Sequence, residues 1–190
     1  MDALRRIVGI VLHPNAEWDR IAAEHTTIDV LIRHFIVPLA LLAPVATFIG
    51  IRFFDASWDE DLGFLVPPQD ALAAAATTLV AAVGSVFALA GIFVLLAPLY
   101  GSSRDYRAAL QVATFGAVPM LLAGALLFLP VLALLGLGGL FYTLYLYWLG
   151  AHKVLQVSRQ HQAEFVGIAM LLLMVASSLG GALASSIGLI

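Results

Sequence analysis

The sequence of 190 residues has no cysteine, few charged residues and no run of basic residues. Without cysteine, a disulfide, a thiolate metal ligand and a cysteine nucleophile are all excluded. Nine lysines and arginines stand against twelve acidic residues, which gives a formal charge of -3. A phosphate-binding surface for nucleic acid therefore has nothing to be built from, and we expect no nucleic-acid partner.

Charge is scarcest inside the long apolar segments. Positions 35–51, 71–99, 108–149 and 165–190 contain no Asp, Glu, Lys, Arg or His. Proton relays and ion-coupled carriers usually need such groups within the membrane. Sequence motifs of hydrolases, Walker loops and dinucleotide sites are absent as well. We therefore expect neither an enzyme nor a cofactor.

What the chain has in abundance is apolar sequence. Hydrophobic residues make up 62% of it, charged residues 11%, and the mean hydropathy is +1.02. Such a composition belongs in a bilayer. Five segments can each cross a hydrocarbon core of about 30 Å at 1.5 Å per residue. They lie near 31–53, 71–98, 107–129, 131–151 and 164–190, so we predict a single all-α integral membrane domain over 1–190 with five transmembrane helices.

Residues 1–30 precede the first span and contain two short amphipathic patterns. The first pattern places four apolar residues on one helical face: Leu4, Ile7, Val8 and Val11. After Pro14, Asn15 can cap a second helix, in which Trp18 suits the headgroup level of a membrane. These interfacial helices either pack on the ends of the spans or have a separate role in binding lipid or a partner.

Proline and glycine mark two irregular places in the spans. Pro38 and Pro44 remove backbone donors from the first span, so we expect a kinked helix there. Pro130 is placed to make a tight turn between the third and fourth spans. The alternative is a bend at the glycines that follow it, Gly136, Gly138 and Gly139.

Small residues recur every four positions in two spans. The second span has Ala73, Thr77, Ala81 and Ser85, and the fifth has Ala176, Gly180, Ala184 and Gly188 with Gly181 beside them. Rows of small residues let helices approach closely in a membrane. We therefore predict that Gly180 and Gly181 take part in a contact with a second copy or with another membrane protein.

A polar island at 98–119 separates the second and third spans and sets the topology. It contains Arg104 and Arg107, and Ser102 or Ser103 is placed to cap the helix that begins near Tyr106. Eight of the nine basic residues fall in the N-terminal region, this island and the loop at 151–164, which are alternate connections. The positive-inside rule then places the N-terminus in the cytoplasm and, with five spans, the C-terminus outside.

Two groups of residues resemble ligand sets only weakly. Five histidines are predicted at the cytoplasmic interface: His13, His25, His34, His152 and His161. No pair has the spacing that would form a metal site on one helix, so solvated histidines are the better interpretation and we predict no metal. The acidic loop, with Asp59-Glu60-Asp61, either binds a divalent cation or is simply solvated.

Four stretches resemble the bacterial branch of the Yip (Ypt-interacting protein) domain family of five-span membrane proteins. They are HPNAEWDRIAAE, FIVPLALLAPVATFIG, the segment 101–119 with its FGAVP, and LYLYWLGAHKVLQVS. The resemblance implies location in the bacterial cytoplasmic membrane and a bend at Pro119. Eukaryotic relatives bind small GTPases, but Leu99-Tyr100-Gly101 follows the second span and lacks the flanking Asp and Pro of their tag, so GTPase binding is not carried over.

By analogy with that family, the function we expect is non-enzymatic. The protein would be a scaffold or membrane-organising factor whose partners are membrane lipids and another membrane protein or a second copy. The alternative is a carrier or channel for a small solute, a lipid or a metal ion.

Overall fold

The structure, a computed structural model, describes residues 3–24, 26–53, 68–128 and 133–186. Within these ranges every regular element is helical, which confirms the predicted all-α class. Two short helices open the chain, α1 (Ala3–Leu12) and α2 (Pro14–Ala23). The others are α3 (Ile28–Leu31), α4 (Val37–Ala40), α5 (Leu42–Phe53), α6 (Pro68–Leu96), α7 (Tyr106–Gly116), α8 (Val118–Gly124), α9 (Ala133–Lys153) and α10 (Gln162–Ser186).

The helices pack around α7, which is buried along almost its whole length. Helices α6 and α9 lie against α7, and α10 packs on α6 and α9. Aromatic rings join these helices: Phe35 meets Phe115 edge-on at 4.9 Å between ring centroids, and Phe93 stacks on Phe165 at 5.3 Å. The core therefore lies at the end of the bundle where α6 ends and α10 begins.

Three helical stretches are long and apolar enough to cross a membrane: Ile28–Gly50, Ala71–Tyr100 and Gln162–Leu183. A fourth arises if α7 and α8, bent by 43°, form one span. The structure thus supports a membrane protein with three or up to four candidate spans among the described residues. The predicted count of five stays a prediction, because α9 is not among the stretches that meet this criterion.

The first span is irregular, as its two prolines led us to expect. A π-helical turn, Ile32–Ile36, lies before Pro38, and the helix is interrupted again at Leu41, between α4 and α5. Proline has no N–H for the carbonyl four residues before it, so Pro38 and Pro44 each remove one helical hydrogen bond. The irregular turns lie where those bonds are lost.

The other predicted irregularity falls partly outside the described residues. Pro130 lies in 129–132, which the structure does not describe, and the acidic cluster lies in 54–67, which it does not describe either. Helix α9 begins at Ala133 and continues through Gly136, Gly138 and Gly139. The helix of the predicted fourth span, α9, therefore starts before these glycines.

Two details of the N-terminal helices differ from the prediction. Helix α2 begins at Pro14 with His13 as its N-cap, so Asn15 is not the cap, and a proline suits this first helical position because it has no N–H to leave unpaired. In α1 the buried side contains Arg6 and Ile10, whereas Leu4 and Val8 are exposed. The predicted apolar face is therefore divided: Leu4 and Val8 point away from the bundle, whereas Ile7 and Val11 are partly buried against the core.

Candidate functional site

A network of charged side chains joins α1 to α2. One guanidinium nitrogen of Arg6, Nη2, lies 2.8 and 2.7 Å from the two carboxylate oxygens of Glu24. Arg6 Nε lies 3.6 Å from Glu17, and Arg20 contacts the other oxygen of Glu17 at 3.1 Å. The side chains of Arg6 and Glu17 are each only 7% exposed, so their charges are compensated inside the protein. The guanidinium of Arg6 also lies over the ring of Phe115, 5.7 Å from its centroid.

Trp18, which was predicted at the headgroup level of a membrane, packs inside the protein and fixes α2 to α9. It is fully buried, and its ring fills the space above Gly150. A Cβ added to Gly150 would lie 2.9 Å from both Trp18 Cη2 and Val112 Cγ1, so only glycine permits this approach. At the end of α9, Lys153 Nζ donates to Asn15 O at 2.8 Å and lies 2.6 Å from Asp19 Oδ1.

The polar island is held to the loop that follows α9. Gly101 ends a 3₁₀ turn, Ala97–Tyr100, with a φ of 72° that glycine adopts without strain. The hydroxyl of Ser102 donates to the carbonyl of Leu155 across the bundle. The prediction that Ser102 or Ser103 caps α7 is wrong: Asp105 is the N-cap, and its carboxylate accepts from the backbone N–H groups of Arg107 and Ala108 at 2.9 and 3.2 Å.

These contacts gather α2, residues 97–107 and residues 153–161 at one end of the protein, which we call the basic end. It contains Arg20, Arg104, Arg107, Lys153 and Arg159. Arg104 is exposed, whereas Arg107 is partly buried and lies 3.8 Å from Asp105. The two arginines that sequence analysis selected therefore lie at the same end but in different surroundings.

A cavity of about 200 Å³ opens between the three segments of the basic end, and we call it the polar pocket. Its lining side chains are mainly polar and include two carboxylates and one guanidinium. The lining residues are Ala22, Glu24, Ser103, Asp105, Arg107, Ala108, Gln111, Val154, Leu155 and Gln156. One of them, Gln156, has a left-handed backbone with a φ of 58°, an uncommon conformation for a residue other than glycine.

A polar stripe on α7 leads from this pocket into the bundle. Arg107, Gln111 and Thr114 are spaced i, i+4 and i+7, so they lie on one face of the helix. Gln111 is 3% exposed, and its amide nitrogen lies 3.4 Å from the carbonyl oxygen of Glu24. Thr114 is fully buried, and its hydroxyl has no hydrogen-bond partner in the described part of the structure. The stripe thus brings polar groups to a depth where the neighbouring side chains are apolar.

Pro119 lies at the bend that ends the stripe. Helix α7 ends at Gly116 and α8 begins at Val118, with an angle of 43° between them. Pro119 cannot donate to the carbonyl of the preceding turn. The next N–H, that of Met120, donates to Thr143 Oγ1 on α9 at 3.2 Å, so the neighbouring helix compensates for the bend.

The last two predicted residues, Gly180 and Gly181, lie far from the basic end. They line a mainly apolar groove of about 600 Å³ between α6 and α10. A Cβ added to either would meet nothing within 4 Å. The candidates therefore fall into two places: Arg107 with Asp105 at the polar pocket, and the glycines at the groove.

The histidines do not converge within the described residues, among which no group of three potential metal ligands occurs. His152 Nδ1 lies 3.0 Å from Val157 O, and its Nε2 accepts from Arg159 Nε at 3.3 Å. His161 contacts Ser158 within one exposed turn at 2.8 Å. His25 falls outside the described part of the chain.

Sequence analysis missed the residues that organise this end: Arg6, Glu17, Glu24, Asp105 and Gln111. The sequence feature that could have indicated them is a polar residue within an otherwise apolar pattern. Arg6 interrupts an apolar pattern, and Gln111 lies in a segment that is otherwise suited to a membrane core. Their partners are 18 and 87 positions away along the chain, which no local pattern shows.

The fold and these sites define a helical membrane protein with several apolar spans, bent at Pro119 and covered at one end by two N-terminal helices. The chain matches the Yip1 domain over residues 8–180, so it belongs to that family. This confirms the resemblance to the Yip family, while the bacterial branch and the count of five spans stay predictions. No curated protein and no solved structure matches the chain.

Proposed function

We propose that the protein is a non-enzymatic, polytopic membrane protein that organises membrane components by contact with lipids and with a second copy of itself. The observation that carries this proposal is the exposure of α10. The stretch Gln162–Leu183 is long enough to span a membrane, yet only 11% of an 18-residue apolar segment within it is buried. A span with so few contacts in its own chain has most of its surface available to other helices or lipids.

The groove between α6 and α10 supports self-association. The two helices are in contact where Phe93 stacks on Phe165, and further along they part at Gly84 and Gly180. The lining of the groove is almost entirely Gly, Ala, Ser and Thr. In a membrane, helices associate by close van der Waals contact, which small residues permit. A helix from a second copy is therefore the occupant that we propose.

The test is the oligomeric state of Gly180→Leu and Gly181→Leu in lipid nanodiscs, measured by single-molecule photobleaching. Neither glycine has an atom within 4 Å of its added Cβ, so leucine would leave the monomer's own packing intact. Gly167→Leu is the matched control, because Gly167 also lies on α10 with nothing within 4 Å but does not line the groove. We expect the groove variants to shift the wild-type oligomer towards monomer and the control to leave it unchanged. A monomeric wild type, or an oligomer that all variants retain, contradicts the proposal.

The second candidate function is a carrier or channel, which the buried polar stripe of Gln111 and Thr114 favours. Saturable uptake of a solute into proteoliposomes that is lost in Gln111→Leu would establish it. A scaffold predicts the opposite pair of results: flat uptake across solutes, together with the loss of assembly in Gly180→Leu.

We further propose that the protein lies in a bacterial cytoplasmic membrane with the basic end in the cytoplasm and the C-terminus outside. The gathering of α2, the island and the 153–161 loop at one end supports this orientation, because basic residues concentrate on the cytoplasmic side. With its 21 residues, α9 is about 31 Å long and is the remaining helix that could complete a count of five.

A further inference from the structure

The polar pocket has the features of a binding site for a small charged molecule. Three segments that are distant in sequence converge on it: the end of α2, the start of α7 and the loop after α9. Its volume of about 200 Å³ lies below the range of roughly 300–1,000 Å³ that is typical for drug-sized ligands. The molecule it can enclose is therefore small.

The charges around the pocket balance each other. Glu24 and Asp105 contribute negative charges to the lining and Arg107 a positive one, while Arg6 lies behind Glu24 at 2.7 Å. A simple anion would meet two carboxylates here, and a simple cation would meet the guanidinium. Because like charges in a partly buried site repel, a ligand that carries both signs fits this lining better than either ion alone.

One neutral polar side chain lines the pocket deep beside these charges. Gln111 is 97% buried, since only 3% of it is exposed, and its amide nitrogen lies 3.4 Å from the carbonyl oxygen of Glu24. An oxygen of a ligand in the pocket can accept from the same amide group, which carries two N–H donors. Thr114 and Arg6, which have buried polar atoms without a partner among the described residues, do not line the pocket.

We propose that the polar pocket binds the phosphoethanolamine group, an ammonium and a phosphate two carbons apart, either as a free molecule or as the headgroup of a phospholipid. The ammonium lies against the carboxylates of Asp105 and Glu24. The phosphate lies alongside the guanidinium of Arg107 with its oxygens towards the amide of Gln111. This site is separate from the α6/α10 groove, so the proposal does not depend on self-association.

The test is a calorimetric titration of the full-length protein in nanodiscs of phosphatidylcholine and phosphatidylglycerol, which contain no phosphoethanolamine. The probes are phosphoethanolamine, phosphocholine, ethanolamine and inorganic phosphate. We expect phosphoethanolamine to bind at least about tenfold more tightly than each of the others, because only it presents both charges with free N–H donors. Equal binding of inorganic phosphate overturns the proposal, as does the absence of phosphoethanolamine binding.

Two variants test the placement. Asp105→Asn removes a charge but keeps an N-cap side chain that suits α7, and Gln111→Leu removes the amide from the floor. Each variant should lower the affinity for phosphoethanolamine about tenfold or more, which is the loss expected for one charge-assisted contact. Arg104→Gln is the matched control, since Arg104 is exposed and does not line the pocket. Wild-type affinity in both pocket variants would contradict the site.

A last experiment distinguishes the two sources of the ligand, the free molecule and the phospholipid headgroup. In nanodiscs that contain phosphatidylethanolamine, a headgroup site is already occupied, so added phosphoethanolamine should bind more weakly than in the nanodiscs of phosphatidylcholine and phosphatidylglycerol. If the affinity is the same in both nanodiscs, the free molecule is the ligand. Each of these results supports the phosphoethanolamine chemistry and identifies where it comes from.

Discussion

Arg6 offers the sharpest test of how the N-terminal helices are attached. Replacing it by methionine keeps an unbranched apolar side chain but removes the guanidinium, and with it both the positive charge between Glu17 and Glu24 and the contact with the ring of Phe115. Glu17 is 7% exposed and would keep only Arg20, whose side chain is 65% exposed. Breaking a buried ion pair by removing one partner costs about 3–5 kcal/mol. We take about 3 kcal/mol, because Glu24 is 34% exposed and can regain water.

The assay uses the absence of cysteine from the chain. Ile21→Cys places a single thiol on the fully buried side of α2, so its reaction with maleimide requires this helix to separate from the bundle. A loss of about 3 kcal/mol in docking raises the labelling rate about 150-fold. Arg20→Met is the control, because an exposed pair is worth about 1 kcal/mol at most, or about fivefold in rate.

A second change separates charge from packing. Adding Glu17→Gln to Arg6→Met removes the uncompensated carboxylate, so the labelling rate should fall back at least about tenfold. The reasoning is refuted if Arg6→Met labels no faster than Arg20→Met, or if Glu17→Gln gives no rescue. Either result would mean that apolar contacts, such as those of Trp18, hold helices α1 and α2 on the bundle without help from the ion pairs.

Two further predictions concern single positions. Gly150→Ala puts a Cβ 2.9 Å from Trp18 and should destabilise the protein by about 1–3 kcal/mol. Gly138→Ala is the control, because a Cβ at Gly138 meets nothing within 4 Å and should not destabilise the protein. The measurement is the denaturation midpoint of each variant in detergent. Asp105→Ala removes the N-cap of α7 and should cost about 1 kcal/mol, measured as faster amide exchange at Arg107 and Ala108, while Asp105→Asn should retain most of the protection. Equal midpoints for the two glycine variants, or unchanged exchange in Asp105→Ala, would contradict these assignments.

The features that sequence analysis predicted well are local ones. The irregular first span follows from Pro38 and Pro44, and the bend in the third span follows from Pro119, because proline acts on its own helical turn. These are consequences of covalent geometry, which a single segment carries with it.

The features that it missed depend on partners distant in the chain. Trp18 is fully buried because Gly150, 132 positions later in the chain, has no Cβ and so makes room for its ring. The burial of Arg6 depends on Glu17 and Glu24, which lie 11 and 18 positions later in the chain. The amphipathic pattern of α1 was real, yet its apolar residues Leu4 and Val8 face outwards. The same face is shared between the core, against which Ile7 and Val11 pack, and the surroundings, where a membrane makes the exposure of Leu4 and Val8 favourable.

The orientation of the bundle underlies everything proposed for the basic end, and cysteine labelling tests it most directly. Asp59→Cys and Ser103→Cys would each introduce a single thiol, to be probed in intact cells with a membrane-impermeant maleimide. We predict that Asp59→Cys reacts from outside and that Ser103→Cys reacts only after the cells are permeabilised, because the proposed orientation puts the polar pocket on the cytoplasmic side. Labelling of Ser103→Cys in intact cells would contradict the orientation.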